Sequence, residues 1–205
     1  MTALLVPVVV LILALVACGD DRPLNDGPTT AAPPEARFTI DADRLDEPYR
    51  NGEIGIAFRP PAGWEPLEPE QRDLIAAAVM EVQEDGRYSL HLVDLFLRTE
   101  TLSFAAISRV TRNGEPVRDL PAYVEDYERI LVPAEDDQLR ARSEFSVNDI
   151  AVTQFRHMQS GRISFTLVFA GSDGTVVQLN YSIPPAAYED EGAKLESSVG
   201  TLMHL

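Results

Sequence analysis

Ile163-Ser164-Phe165-Thr166-Leu167-Val168-Phe169, followed by Gly171-Ser172-Asp173-Gly174 and then Val177-Gln178-Leu179-Asn180-Tyr181-Ser182-Ile183, decides the fold. Large apolar side chains recur at every second position in both runs, the period of a β-strand with one face in a core. The four residues between the runs are turn formers, so the runs are the arms of an antiparallel hairpin. Phe165, Leu167, Leu179 and Tyr181 take its core face. The opposite face carries Ser164, Thr166, Val168, Val176, Gln178, Asn180 and Ser182, with no charge among them in a chain of 33 acidic and 17 basic residues. Two readings of that face stand open. Interface centres are depleted of charge, which makes Ser164, Thr166, Gln178, Asn180 and Ser182 a candidate surface for a protein partner. Alternatively, helices from earlier in the chain cover the face and small polar residues fit beneath them.

Downstream of the hairpin, Pro184-Pro185 ends the second arm. A final helix follows, with Tyr188, Leu195, Val199 and Leu202 along one side. Upstream, 139–147 and 150–158 read as strands joined at an Asn148-Asp149 turn. Before them, Leu120, Tyr123, Val124, Tyr127 and Leu131 fall at helical spacing, Pro133 closes that helix, and Glu135-Asp136-Asp137 is a solvated acidic turn. Residues 88–98 and 102–112 read as two further strands, with Asn113-Gly114 as a turn. The first is apolar on both faces from Leu92 to Leu97, as in a central strand.

A helix is expected to open at Glu68-Pro69-Glu70 and run to about Glu84, ending at Asp85-Gly86. Its apolar stripe is Leu74, Ala78 and Val82 with Ile75 and Val79. Residues 53–59 alternate, with Ile54, Ile56 and Phe58 on one face, and Pro60-Pro61-Ala62-Gly63-Trp64 stops that strand. Trp64, the sole tryptophan, reads as the plug at one end of the core. Residues 38–45 are weakly strand-like. Helices alternating with antiparallel meanders predict an α+β fold, an antiparallel sheet packed with helices, in one domain over 38–205.

Leu4 to Ala17 is apolar and uncharged, and it ends Leu15-Val16-Ala17-Cys18 at the only cysteine. That is the form of a bacterial lipoprotein signal: residues 1–17 are removed and Cys18 becomes the diacylglycerol-modified N-terminus. An ordinary cleaved signal peptide and a retained anchor are the competing readings. The run falls short of the roughly twenty apolar residues that span a bilayer, and it contains Pro7. Residues 1–10 hold no Lys or Arg, a departure from the usual positive start of such a signal. Residues 18–37, rich in Pro, Gly and polar side chains, are expected to be a disordered linker. These features place the protein in the cell envelope, lipid-anchored on the exported side of a bacterial membrane.

Gly55-Ile56-Ala57-Phe58-Arg59-Pro60-Pro61-Ala62-Gly63-Trp64, Val147-Asn148-Asp149-Ile150-Ala151-Val152, and the hairpin, Tyr188 and helix over 163–202 together resemble the PsbP-like family. The resemblance implies an α/β/α sandwich and a role as a binding or assembly module. It covers about 53–202, and over 101–146 it extends only to the order of elements.

A net charge of −16 repels phosphate backbones, which argues against nucleic acid as a partner. No Walker, dinucleotide or Gly-x-Ser-x-Gly motif is present, and His91, His157 and His204 have no metal-ligand spacing. Glu189-Asp190-Glu191 and Glu135-Asp136-Asp137 lack the spacing of a calcium loop. The sequence therefore calls for no metal or cofactor. Asp94, in Leu92-Val93-Asp94-Leu95-Phe96, is a carboxylate in an apolar strand. It is read as an ion pair with a nearby Arg or as a local outward turn at a strand edge, against a general acid or ligand anchor. The expected function is a membrane-anchored, non-enzymatic binding or assembly module with an envelope protein partner. The alternatives are a hydrolase using Asp94 and a histidine, or a carrier of a small apolar ligand between sheet and helices.

Overall fold

The computed structural model describes residues 33–82, 87–131 and 141–205. Cys18, the signal, the linker up to residue 32, the Asp85-Gly86 and Pro133 helix ends and the acidic turn at 135–137 lie outside them. The elements in chain order are β1 (Tyr49–Asn51), β2 (Ile56–Phe58), β3 (Glu65–Pro66), α1 (Pro69–Val82), β4 (Ser89–Arg98), β5 (Ser103–Arg112), β6 (Glu115–Pro116) and α2 (Leu120–Ile130). They continue with β7 (Ala141–Val147), β8 (Ile150–Gln159), β9 (Arg162–Ala170), β10 (Val176–Ile183), α3 (Tyr188–Gly200) and β11 (Met203–His204).

An eight-stranded antiparallel sheet runs β3-β4-β5-β10-β9-β8-β7, with β6 folded back on β5. A second, three-stranded sheet runs β1-β2-β11. The fold is α+β, with antiparallel sheets packed against helices. The turns have the backbone that tight hairpins demand. Asn113 and Gly114 take φ of 55° and 83°, and Asn148 and Asp149 take 47° and 66°, the left-handed conformation that asparagine, aspartate and glycine tolerate best.

The two faces of the large sheet are built differently. Phe165, Leu167 and Phe169 of β9 and Val177, Leu179, Tyr181 and Ile183 of β10 form one continuous core with Ile54, Ile56, Phe58, Trp64, Leu195, Val199 and Leu202. Trp64 plugs this core as expected, at 1% exposure. Its Nε1 donates to Glu191 Oε2 at 3.1 Å. Glu191, the last of Glu189-Asp190-Glu191, is fully buried. Arg98 and Lys194 pair with it, so the charge is compensated where water is excluded. The hairpin loop presses on the turn before β2: a Cβ on Gly55 would lie 1.6 Å from Ser172 Oγ.

Several expectations need correction. Residues 38–45 form no strand; Ala42–Arg44 is a 3-10 turn begun by Asp41, whose carboxylate accepts from the Asp43 N–H. Residues 33–37 are not all linker, because Pro34 and Ala36 bond the backbone of Ser146 on edge strand β7. An open edge gains pairing partners there. Tyr188 is 39% exposed and stacks on Phe165 from outside instead of joining Leu195 and Val199 in the core. On α1, Leu74 is 74% exposed, so the apolar stripe is not turned wholly inward.

Candidate functional site

The second face of the sheet is where the alternation of β4 matters. Leu92 pairs with Ser108, but Asp94 pairs with Ile107, so Val93 is an extra residue in a β-bulge. A bulge flips the parity of everything beyond it. Leu90 and Leu92 before it, and Leu95 and Leu97 after it, therefore all face the same way. This is the physical origin of the strand that reads as apolar on both faces. Asp94 is left half-buried on the opposite face; its Oδ1 accepts from Leu95 N at 3.0 Å, and its carboxylate meets the Tyr49 hydroxyl. Burial, reinforced by that carboxylate, pushes the Tyr49 pKa up to about 12 against the pull of the Asn51 amide. The described contacts of Asp94 include no histidine.

Cross-strand register then lays out a floor in rows. Leu97 opposes Phe104, Phe104 opposes Ser182, and Ser182 opposes Ser164. In the next row Leu95 opposes Ala106, then Asn180, then Thr166. In the third, Leu92 opposes Ser108, then Gln178, then Val168. Each row starts at a leucine of β4; the first two end in the hydroxyls of Ser164 and Thr166, and the third passes Ser108 and Gln178 to end at Val168.

Helix α2 roofs the polar side. Asp119 caps it by accepting from Ala122 N, and Tyr123, Val124 and Tyr127 face the sheet. The Tyr127 hydroxyl donates to Thr166 Oγ1 at 3.2 Å, and Gln178 donates its amide to the Tyr123 hydroxyl. Burial drives both tyrosine pKa values upward. Helix α1 contributes Ile75 over the leucine side, and Arg72 of the same helix donates to the Val93 carbonyl at the bulge.

Between floor and roof lies a cavity of about 670 Å³. Leu67, Ile75, Leu90, Leu92, Leu95, Leu97, Phe104 and Ala106 give it apolar walls, with Tyr127 and Leu131 from the α2 side. Ser108, Ser160, Ser164, Gln178, Asn180, Ser182 and Arg162 supply its polar lining. The size falls in the roughly 300–1,000 Å³ range of small-molecule sites, and an apolar wall with a few convergent polar groups is their usual composition.

This overturns the reading of the uncharged hairpin face as a surface for a protein partner. Ser164, Thr166, Gln178 and Ser182 are 2%, 1%, 3% and 3% exposed, and Asn180 is half-buried. The absence of charge has another cause: these side chains lie beneath α2 and on the cavity floor, where an unpaired carboxylate would lose its hydration. Sequence reasoning found the floor residues and missed the four leucines opposite them, because the bulge that turns them to one side leaves no mark in the pattern. Among the described residues no group of histidine, cysteine and carboxylate side chains is placed to hold a metal ion, and no helix is long and apolar enough to cross a membrane.

No family model matches the chain. No curated protein matches it either. Among solved structures, the chain is similar to the solution structure of cyanobacterial PsbP (CyanoP) from Synechocystis sp. PCC 6803. Identity is 10% and the TM-score 0.49, over 79% of this chain and 94% of that chain. No residue role passes between the two at that identity.

Proposed function

We propose that the protein is a lipid-anchored, exported binding module whose domain takes up a small, largely apolar ligand in the cavity between the sheet and helices α1 and α2. One observation carries the ligand reading: four leucines turned to one side by a bulge and a polar floor that ends at Arg162 line a half-open cavity of about 670 Å³. The anchor rests on Leu15-Val16-Ala17-Cys18 alone, and would hold the cavity near a membrane, where apolar molecules are concentrated. The burial of Ser164, Thr166, Gln178 and Ser182 gives no support to a protein partner at the hairpin face. The hydrolase alternative has no observation in its favour, since Asp94 opens onto Tyr49 and not onto the cavity.

The test is binding of the uncharged dye Nile red to the full-length protein. Saturable, single-site emission enhancement is expected. Ala106 sits half-exposed on the cavity floor, so Ala106→Trp should fill the space and weaken dye binding at least about tenfold while the melting temperature holds. Dye binding unchanged in a folded Ala106→Trp protein would place the site elsewhere.

A further inference from the structure

We propose that the ligand of this cavity is a long-chain carboxylate whose head group is held by Arg162; the assignment rests on the cavity reading above and adds the ligand's charge. Arg162 opens β9 and shares the cavity face with Ser164 and Thr166. Its Nε donates to Ser182 Oγ at 2.7 Å, and its Nη2 donates to the Ser182 carbonyl at 3.0 Å and to the Leu102 carbonyl. The guanidinium lies over the Phe104 ring, 5.3 Å from its centre. These contacts fix the guanidinium plane, and every acceptor in them is neutral.

Seven arginines of the domain, Arg44, Arg72, Arg87, Arg98, Arg109, Arg129 and Arg142, have a carboxylate within reach, whereas Arg162, like Arg59, donates only to neutral acceptors; of these two, Arg162 is the one that lines the cavity. Arg162 has no carboxylate partner among the described residues, in a chain with nearly twice as many acids as bases. Its Nη1 makes no hydrogen bond among them. A half-buried cation whose neighbours are all neutral gains most from an anion that arrives with the ligand. Burial alone already holds its pKa below the usual arginine range.

The rest of the cavity narrows the choice of anion. No second Lys or Arg lines it among the described residues, so a head group with two charges would keep one uncompensated. A carboxylate matches the single guanidinium. Ser164 and the amide group of Asn180, whose Oδ1 already accepts from Thr166, offer further donors on the same face. Phe104, Leu97, Leu95 and Ala106 continue the surface away from the charge, as an alkyl chain requires.

The experiment compares equilibrium binding of palmitate and of the uncharged hexadecanol to the purified full-length protein and to its Arg162→Gln variant at neutral pH. The wild type should prefer palmitate. Arg162→Gln should weaken palmitate roughly ten- to hundredfold, the range for a charge-assisted hydrogen bond, and leave hexadecanol within about twofold. Arg162→Lys should restore part of the palmitate affinity, since it keeps the charge without the planar donors. If the wild type binds both equally, the carboxylate assignment is overturned and the cavity reading stands, whatever the variant's stability. Equal losses of both ligands in a folded Arg162→Gln protein likewise overturn the assignment. Failure of both ligands to bind the wild type overturns the two readings together.

Discussion

The two faces of the large sheet draw on the same strands and reach opposite ends of packing. On one face Phe169, Leu167, Leu179, Tyr181 and Ile183 are sealed beneath Trp64, α3 and the β1-β2-β11 sheet. On the other, the alternate residues of the same strands meet a roof that touches them through Tyr123 and Tyr127 and leaves a cavity beside those contacts. One alternating strand thus fills a core on one side and lines a cavity on the other. Its large apolar residues go to the packed face. Its alternate residues go to a face shared between a smaller core under α2, which takes Val168 and Val176, and the cavity beside it.

The comparison breaks most sharply under truncation. Leu179→Ala empties space in a core with no slack and should cost about 3–5 kcal/mol, read from the shift of a urea unfolding midpoint. Leu92→Ala removes the same atoms from a half-buried position on the cavity wall, and about 1 kcal/mol is expected, because much of its surroundings is already empty. Equal costs at the two positions would mean that the faces are packed alike.

A smaller effect separates the faces by pH. Tyr49 packs against Phe58 and Phe96 on the packed face, and its pKa is raised from 10.0 to about 12. A raised folded-state pKa means that the native state holds the proton longer than the unfolded chain does. Its contribution is therefore fully present below pH 10 and is lost as pH rises toward 12. Tyr49→Phe should flatten that part of the stability–pH curve, measured by urea unfolding at pH 9, 10 and 11. A curve of unchanged slope would show that Tyr49 titrates normally.

Much of this was legible in the sequence, for reasons that can be named. The alternation of β9 and β10 placed Phe165, Leu167, Leu179 and Tyr181 in the core, since a strand must send successive side chains to opposite faces. Asn113-Gly114 and Asn148-Asp149 marked turns because few other residues tolerate positive φ. The bulge at Val93 was not legible: one inserted residue changes parity without changing composition. The burial of Glu191 was not legible, because only the fold brings Trp64, Arg98 and Lys194 to it. The cavity was the least visible feature. It depends on how far a roof stands from a floor, and no single residue encodes that distance.

The most direct test of the central claim is methyl-resolved NMR of the full-length protein titrated with hexadecanol. Shifts and intermolecular contacts are expected at the methyls of Leu92, Leu95, Leu97 and Ala106 on the cavity side. Leu167, Leu179 and Ile183, on the other face of the same sheet, should stay unmoved. Contacts confined to other surfaces, or a saturating titration that leaves the methyls of these four residues in place, would contradict ligand uptake in the cavity.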